Sequence, residues 1–568
     1  MYNLLIGGAA GQGVDTMTAI MERILKRSGY CVFASRDVMS RIRGGHNFSL
    51  IRFGVEKRPI GSHSDVLDGM IALNDETIEI HKDKLKSGGF ILGDTKLLSQ
   101  DFRFIKIALN DLAKEIGNPV VSGSIALGAA LKLFGEGIGQ CEEVLKDFIK
   151  KELIDINIKA ILAGYNAVEP RFQHLNGTFA DWILLTGNKA IALGALAAGM
   201  KFFSAYPMSP STSIMEFLSS KMIECGIVVE QAEDEIAAIN MAIGASYAGA
   251  RAMTATSGGG FSLMVEALGL SGMAEIPLVV VNVQRPGPTT GLPTRTEQSD
   301  LKFVVSASQG EFPRMVIAVR NQEDAFYQTV RAFQMAEKYQ LPVIVLSDQY
   351  IADSSATVKR FDISALDLKG LRADDEGSGK ATKCDEEYLR YRYSESGISP
   401  RLFPGETSCF VTSDSDEHDE HGMITESAEV RTRMMDKRMK KLDLLKLELQ
   451  EPEFFGVDDF DTLLVGWGST YGPIVEAVEL LNRTSSAYHG KVAALVFGDV
   501  FPLPKMKITE LAKQARRIIN VEQNSTGQLA GMIREYTGVE FSGSILKYDG
   551  RQISASQIVN RLLKEGSV

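Results

Sequence analysis

Three segments between Phe203 and Asp300 set the strongest limit on the fold. An apolar, strand-like run leads into YPMSPST (206–212), a turn rich in Pro, Ser and Thr. EQAEDEIAAINMAIGASYAG (230–249) then puts acidic residues at the head of an Ala/Gly-rich, tightly packed helix. The strand-like ARAMTA (250–255) leads into TSGGG (256–260), and IPLVVVNV (276–283) leads into QRPGPTTGLPTRTEQSD (284–300). Loops of this kind, at the C-terminal ends of parallel strands, are where open α/β sheets bind ligands. The pattern predicts an α/β fold with several doubly wound, mostly parallel sheets.

The chain around this segment is long enough for about three domains. NLLIG (3–7), TMTAIMERILKRSG (16–29), YCVFAS (30–35), NFSLIRFG (47–54), DGMIAL (68–73) and FILGD (90–94) alternate strand with helix and give a first domain over 1–175. A second spans 180–360. Residues 361–455 are charged and turn-rich, an excursion expected to pack on the domains without adding a core. TLLVGWGS (462–469), KVAALVFGD (491–499) and RRIINVEQN (516–524) are strands of a last α/β domain over 456–568.

A net charge of −11 disfavours a role driven by phosphate neutralisation on nucleic acid. Five scattered cysteines, with no CxxC pair, suggest neither a disulfide framework nor a cluster held by this chain alone. MYNLLIGGAAGQG reads as a strand and turn rather than a signal peptide, and no apolar stretch reaches a membrane span. A cytoplasmic location is expected.

Glu233, Asp234 and Glu235 precede the Ala/Gly helix. Acids there complement the helix dipole, and a single carboxylate in a dry pocket also serves catalysis. With YPMSPST and GLPTRTEQ, this constellation resembles the alpha subunit of the 2-oxoacid:ferredoxin oxidoreductases. In that family the domain closes over the pyrimidine half of thiamine pyrophosphate. The resemblance implies that Glu235 is the catalytic carboxylate, sharing a proton with the aminopyrimidine ring. It implies cofactor contacts from Tyr206, Pro207, Thr256, Ser257 and Gly258, and oxoacid contacts from Ser209, Thr294 and Arg295, with Arg285 the alternative carboxylate ligand. Two positions depart from the family's pattern. Ser209 stands where YPITPS has Thr, and Gly259 where TSGPG has Pro.

GGAAGQG (7–13) fails the G-x-G-x-x-G spacing of a dinucleotide fold. It resembles the GxGGQG opening of the family's gamma subunit, and RIRGGHNFSLIR (41–52) resembles that subunit's second signature. The resemblance implies coenzyme A contacts from Gly11, Gln12, Gly13, Arg41, Arg43 and Asn47; a plain turn at Gly44–Gly45 is the alternative. No Gly-Asp-Gly occurs to open a magnesium-pyrophosphate motif. The resemblance therefore implies a beta subunit holding the pyrophosphate, magnesium and a 4Fe-4S cluster, with ferredoxin as electron acceptor and a dimer of alpha–beta heterodimers.

A gamma domain fused ahead of an alpha subunit, the last domain being of transketolase C-terminal type, looks most like the 2-oxoglutarate oxidoreductases. The implied reaction is coenzyme A-dependent oxidative decarboxylation of the oxoacid to acyl-CoA, reversible in principle. Pyruvate and branched-chain 2-oxoacids remain open, as do a thiamine-dependent transferase and a non-catalytic nucleotide-binding subunit. DSDEHDEHG (414–422) carries His418 and His421 among acids, and reads as a solvated loop, with divalent metal binding the alternative.

Overall fold

The computed structural model describes residues 1–39, 45–56, 59–366, 388–405, 407–484 and 491–565. Arg41 and Arg43 lie outside the described residues. The chain forms two compact units. One is Met1–Thr186 with Asp353–Arg360 and Ser554–Ser556; the other comprises Gly187–Ala352, Phe361–Ile553 and Gln557–Val568.

The first unit is built on an eight-stranded sheet. Its order is Phe104–Ile107, Leu85–Asp94, Leu67–Ala72, Tyr2–Ala9, His46–Gly54, Cys31–Asp37, Ser355–Val358 and Ile183–Thr186. The first four strands run parallel. Every pair from Tyr2–Ala9 onward is antiparallel. The sheet is thus mixed where the alternation of strands and helices suggested mostly parallel pairing. The reason lies between Cys31–Asp37 and His46–Gly54, which pair directly across a connection of only eight residues. A parallel pair needs a crossover of about a dozen residues or more, so strands joined this closely pair antiparallel.

The second unit holds two sheets. The central one has the order Asp499–Phe501, Met315–Ala318, Pro342–Asp348, Leu278–Gln284, Ala252–Thr256, Phe202–Ala205 and Val228–Gln231. All pairs are parallel except that of Asp499–Phe501. Leu278–Gln284 and Pro342–Asp348 are buried along their whole length, as strands covered on both faces must be. The last sheet is Glu453–Gly456, Val492–Phe497, Thr462–Trp467, Arg517–Glu522 and Gly543–Leu546, with only its first strand antiparallel. One apolar cluster, including Val280, Leu346, Val465 and Leu495, runs through both sheets.

The charged excursion is anchored by buried ions. Its helix Ala428–Leu445 sends Lys437 and Lys441 onto Glu275, which has no exposed surface. Lys437 Nζ lies 2.6 Å from Oε1, and Lys441 pairs with Oε2. Burial alone would push Glu275 up; the two ammonium groups and Arg390 hold it far below the carboxylate range. Glu275 and Gln340 both have left-handed backbone (φ 51°) just past a helix end, where glycine is usual. Arg390 ties the two together, donating to the Glu275 carbonyl (2.9 Å) and to Gln340 Oε1 (3.2 Å).

His418 departs from the solvated-loop expectation. It is buried with its ring centroid 4.0 Å from that of Tyr391, and Nδ1 meets the Asp416 carbonyl at 2.9 Å. Tyr391 supplies the apolar face that makes an internal His affordable. Cys31, Cys141 and Cys225 are free thiols. Among the described residues no helix is long and apolar enough to cross a membrane.

Candidate active site

Parallel pairing carries four loops to one edge of the central sheet. Phe202–Ala205 ends in YPMSPST, Val228–Gln231 in the three acids, Ala252–Thr256 in SGGG, and Leu278–Gln284 in the loop 285–300. Side chains then knit them together. Arg285 Nη1 donates to the Ser209 carbonyl (2.6 Å). Thr256 Oγ1 lies 3.8 Å from Met208 Sδ. Asn188, on the helix Gly187–Ala197, donates to the Pro210 carbonyl and to Ser213 Oγ, both at 2.8 Å.

The three acids have separate places. Glu233 is exposed. Asp234 is the N-cap of the helix Glu235–Tyr247, its Oδ1 accepting from Ala237 N at 2.7 Å. The helix-dipole explanation therefore describes Asp234. Glu235 is 4% exposed, and its Oε1 has no hydrogen-bond partner. Buried polar atoms are almost always paired, and a lone buried carboxylate oxygen is costly to the fold. That oxygen suits a ring nitrogen that shares a proton with it, so the residues present fit an aminopyrimidine.

The TSGGG turn lets the neighbouring helix reach this carboxylate. A Cβ at Gly260 would lie 2.5 Å from Glu235 Oε1, and one at Gly258 would collide with the Asp300 carboxylate. A Cβ at Gly259 would meet the Thr289 carbonyl at 3.5 Å, an ordinary van der Waals contact. Ser257 Oγ is buried without a partner. Thr256 is fully buried, while Tyr206 (39% exposed) and Ser209 are exposed and Pro207 is half-buried.

Two arginines occupy the loop 285–300 in different ways. Arg285 faces Ser209 and Asp300; burial lowers its pKa and Asp300 opposes the shift. Arg295 is buried and passes against Gly550, where an added Cβ would lie 3.2 Å from its own. Thr294 beside it is half-buried. Asp300 accepts from Asn282 Nδ2 (3.2 Å), and its N–H donates to Gln284 Oε1 (3.0 Å). Burial pushes Asp300 up to about 6, against Asn282 and Arg285. Neither Asn188 nor Asp300 stood out in the sequence. Each acts through partners about twenty residues away, which no local pattern marks.

In the first unit, Gly11 (φ 87°) and Gly13 (φ 80°) are exposed and need glycine for their left-handed backbone. Gln12 closes the turn itself: Oε1 accepts from Ala9 N (2.6 Å) and Nε2 donates to the Leu73 carbonyl (3.3 Å). Asn47 Oδ1 accepts from Met39 N (2.9 Å). His46, paired opposite Ala9, meets His81 with the Nε2 atoms 3.0 Å apart. Burial lowers both pKa values, His81 to about 3.

The geometry is thus a buried carboxylate beside a glycine-rich helix start, at the C-terminal edge of a parallel sheet. The family described as "Pyruvate flavodoxin/ferredoxin oxidoreductase, thiamine diP-bdg" matches residues 193–437, and "Pyruvate ferredoxin/flavodoxin oxidoreductase" matches 3–167. The 2-oxoacid:ferredoxin oxidoreductase subunit alpha of Sulfolobus sp is 32% identical, covering 99% of this chain and 96% of the relative. The 2-oxoglutarate oxidoreductase subunit KorA of Mycobacterium tuberculosis is 32% identical over 76% of this chain and 66% of its own length. A solved 2-oxoglutarate:ferredoxin oxidoreductase from Magnetococcus marinus, with 2-oxoglutarate, coenzyme A and succinyl-CoA bound, superposes with a TM-score of 0.90. It has 32% identity and covers 100% of this chain and 99% of its own. The chain belongs to the 2-oxoacid:ferredoxin oxidoreductase family and is its alpha-type subunit, an oxidoreductase component that works with a partner subunit.

Proposed function

We propose that this subunit serves coenzyme A-dependent oxidative decarboxylation of 2-oxoglutarate, with electrons passing to ferredoxin. The observation that carries the reading is Glu235, a buried carboxylate with a free oxygen beneath the Gly258–Gly260 turn. The Magnetococcus marinus relative, with 2-oxoglutarate bound, supports this oxoacid over pyruvate or branched-chain substrates.

Thiamine pyrophosphate, when bound, supplies the electron sink for loss of carbon dioxide. Glu235 holds and shares a proton at the aminopyrimidine ring. Tyr206, Pro207, Thr256, Ser257 and Gly258 line the cofactor's pyrimidine side. Ser209, Thr294 and Arg295 take the oxoacid carboxylate, for which a guanidinium offers two parallel donors. Residues 1–175 serve coenzyme A through Gly11, Gln12, Gly13 and Asn47, with Arg41 and Arg43. A beta subunit holds the pyrophosphate, magnesium and a 4Fe-4S cluster, and the assembly is a dimer of heterodimers in the cytoplasm.

Co-expression with the beta chain and a panel of oxoacids tests this directly. Ferredoxin reduction should require coenzyme A and show its highest kcat/KM on 2-oxoglutarate. Preference for pyruvate or a branched-chain oxoacid would overturn the substrate; no oxoacid-dependent reduction would overturn the reaction.

A further inference from the structure

The loop that carries Thr294 and Arg295 is held from outside its own sheet. Gln298, three residues beyond Arg295, has no exposed surface, and each of its four polar groups is bonded to the C-terminal domain. Its N–H donates to the Gln523 carbonyl at 2.7 Å. Its own carbonyl accepts from Asn524 Nδ2 (3.0 Å). Oε1 accepts from Gln523 N (3.1 Å), and Nε2 donates to the Trp467 carbonyl (2.8 Å). Gln528 adds a second grip: Nε2 donates to the Ser299 carbonyl (2.7 Å), and Oε1 accepts from Lys302 N (2.9 Å). Leu292 and Arg295 lie against Gly550 of the same domain.

The far end of the loop is fixed differently, by Arg285 on the Ser209 carbonyl within the central domain. Arg295 therefore stands between two anchors, the nearer of which is the C-terminal domain. We infer that Gln298 and Gln528 are positioning residues for the oxoacid site, and that the C-terminal domain is the frame that sets where the Arg295 guanidinium presents itself. This rests on the proposed carboxylate role of Arg295. A bidentate contact tolerates little displacement, so loosening the frame weakens oxoacid binding without touching the reacting atoms. A purely structural role would lower stability and leave the ratio of substrate constants alone.

The test uses the assembled enzyme and steady-state titrations of oxoacid and of coenzyme A. Gln298→Met keeps the side chain's length and removes both side-chain bonds; Gln528→Ala is the milder variant, at a half-buried position. The oxoacid KM should rise about tenfold in Gln298→Met and about threefold in Gln528→Ala, with kcat and coenzyme A KM changing less than about twofold. In an Arg295→Ala background, Gln298→Met should add less than about twofold, because the residue it positions is gone. Effects that multiply in the double variant would overturn the inference. So would an unchanged oxoacid KM in both Gln variants while Arg295→Ala raises it. If Arg295→Ala leaves the oxoacid KM unchanged and Arg285→Ala raises it, the carboxylate assignment itself falls and takes the inference with it. If Gln298→Met fails to assemble, Gln528→Ala alone and combined with Arg295→Ala decides by the same criteria.

Discussion

Glu235 and Glu275 are both buried glutamates of the central domain, and they are treated in opposite ways. Glu275 sits just past the helix Gly258–Met273, with Lys437, Lys441 and Arg390 around it. Glu235 begins the helix Glu235–Tyr247, and one of its oxygens meets no donor. A carboxylate whose charge is answered inside the fold is part of the architecture. One left unanswered lowers stability and keeps its hydrogen-bonding capacity for something else.

The sharpest way to break this contrast is to neutralise each glutamate in turn. In Glu235→Gln the assembled enzyme should lose turnover by on the order of 10²–10³-fold, since the amide cannot share a proton. Its thermal stability should stay level or rise, because an unanswered charge has been removed. Glu275→Gln should do the reverse. It strands buried cations, so unfolding free energy should fall by about 3–5 kcal/mol while activity per folded molecule persists. Denaturant curves beside active-site-normalised rates separate the two. Lost turnover in a stable Glu275→Gln enzyme would undo the distinction.

Asp300 is the intermediate case and gives the smallest effect. Its burial is only partly answered by Asn282 and Arg285, and its pKa is raised to about 6. For an acid with a raised folded pKa, the stabilising contribution is complete below the unfolded value near 4 and is lost as pH rises through about 6. Glu275, held low, has the opposite sign: its contribution is present at neutral pH and is lost only in strong acid. Asp300→Asn should therefore match the parent at pH 4 and be more stable by about 1–2 kcal/mol at pH 7.5, allowing for partial exposure. A stability gap that is constant from pH 4 to 7.5 would contradict the assignment.

Features written locally were readable from the sequence. The strand Leu278–Gln284 and the loop after it, and the helix head at Glu235, lie where apolar runs and punctuation put them, whereas the TSGGG glycines read as a turn and open the helix Gly258–Met273. What could not be read was set by pairings far apart in the chain. Gln298 and Gln523 are 225 residues apart, and Glu275 and Lys437 are separated by 162. Neither pair leaves a periodic trace. His418 looked solvated because its neighbours are acidic, yet Tyr391, 27 positions earlier, provides its burial. Among the three acids the resemblance picked out Glu235, and the coordinates add that Asp234 caps the helix while Glu235 keeps an oxygen without a donor.

Gly259 carries a further consequence. It is the second residue of the helix that opens at Gly258, the position of proline in the TSGPG pattern that this segment resembles. Proline there would lock the backbone and supply no N–H, whereas glycine keeps that N–H and leaves the first turn with more conformational freedom. Three consecutive glycines open this helix, so its entry is compliant, and each of them keeps a peptide N–H that a proline would lack.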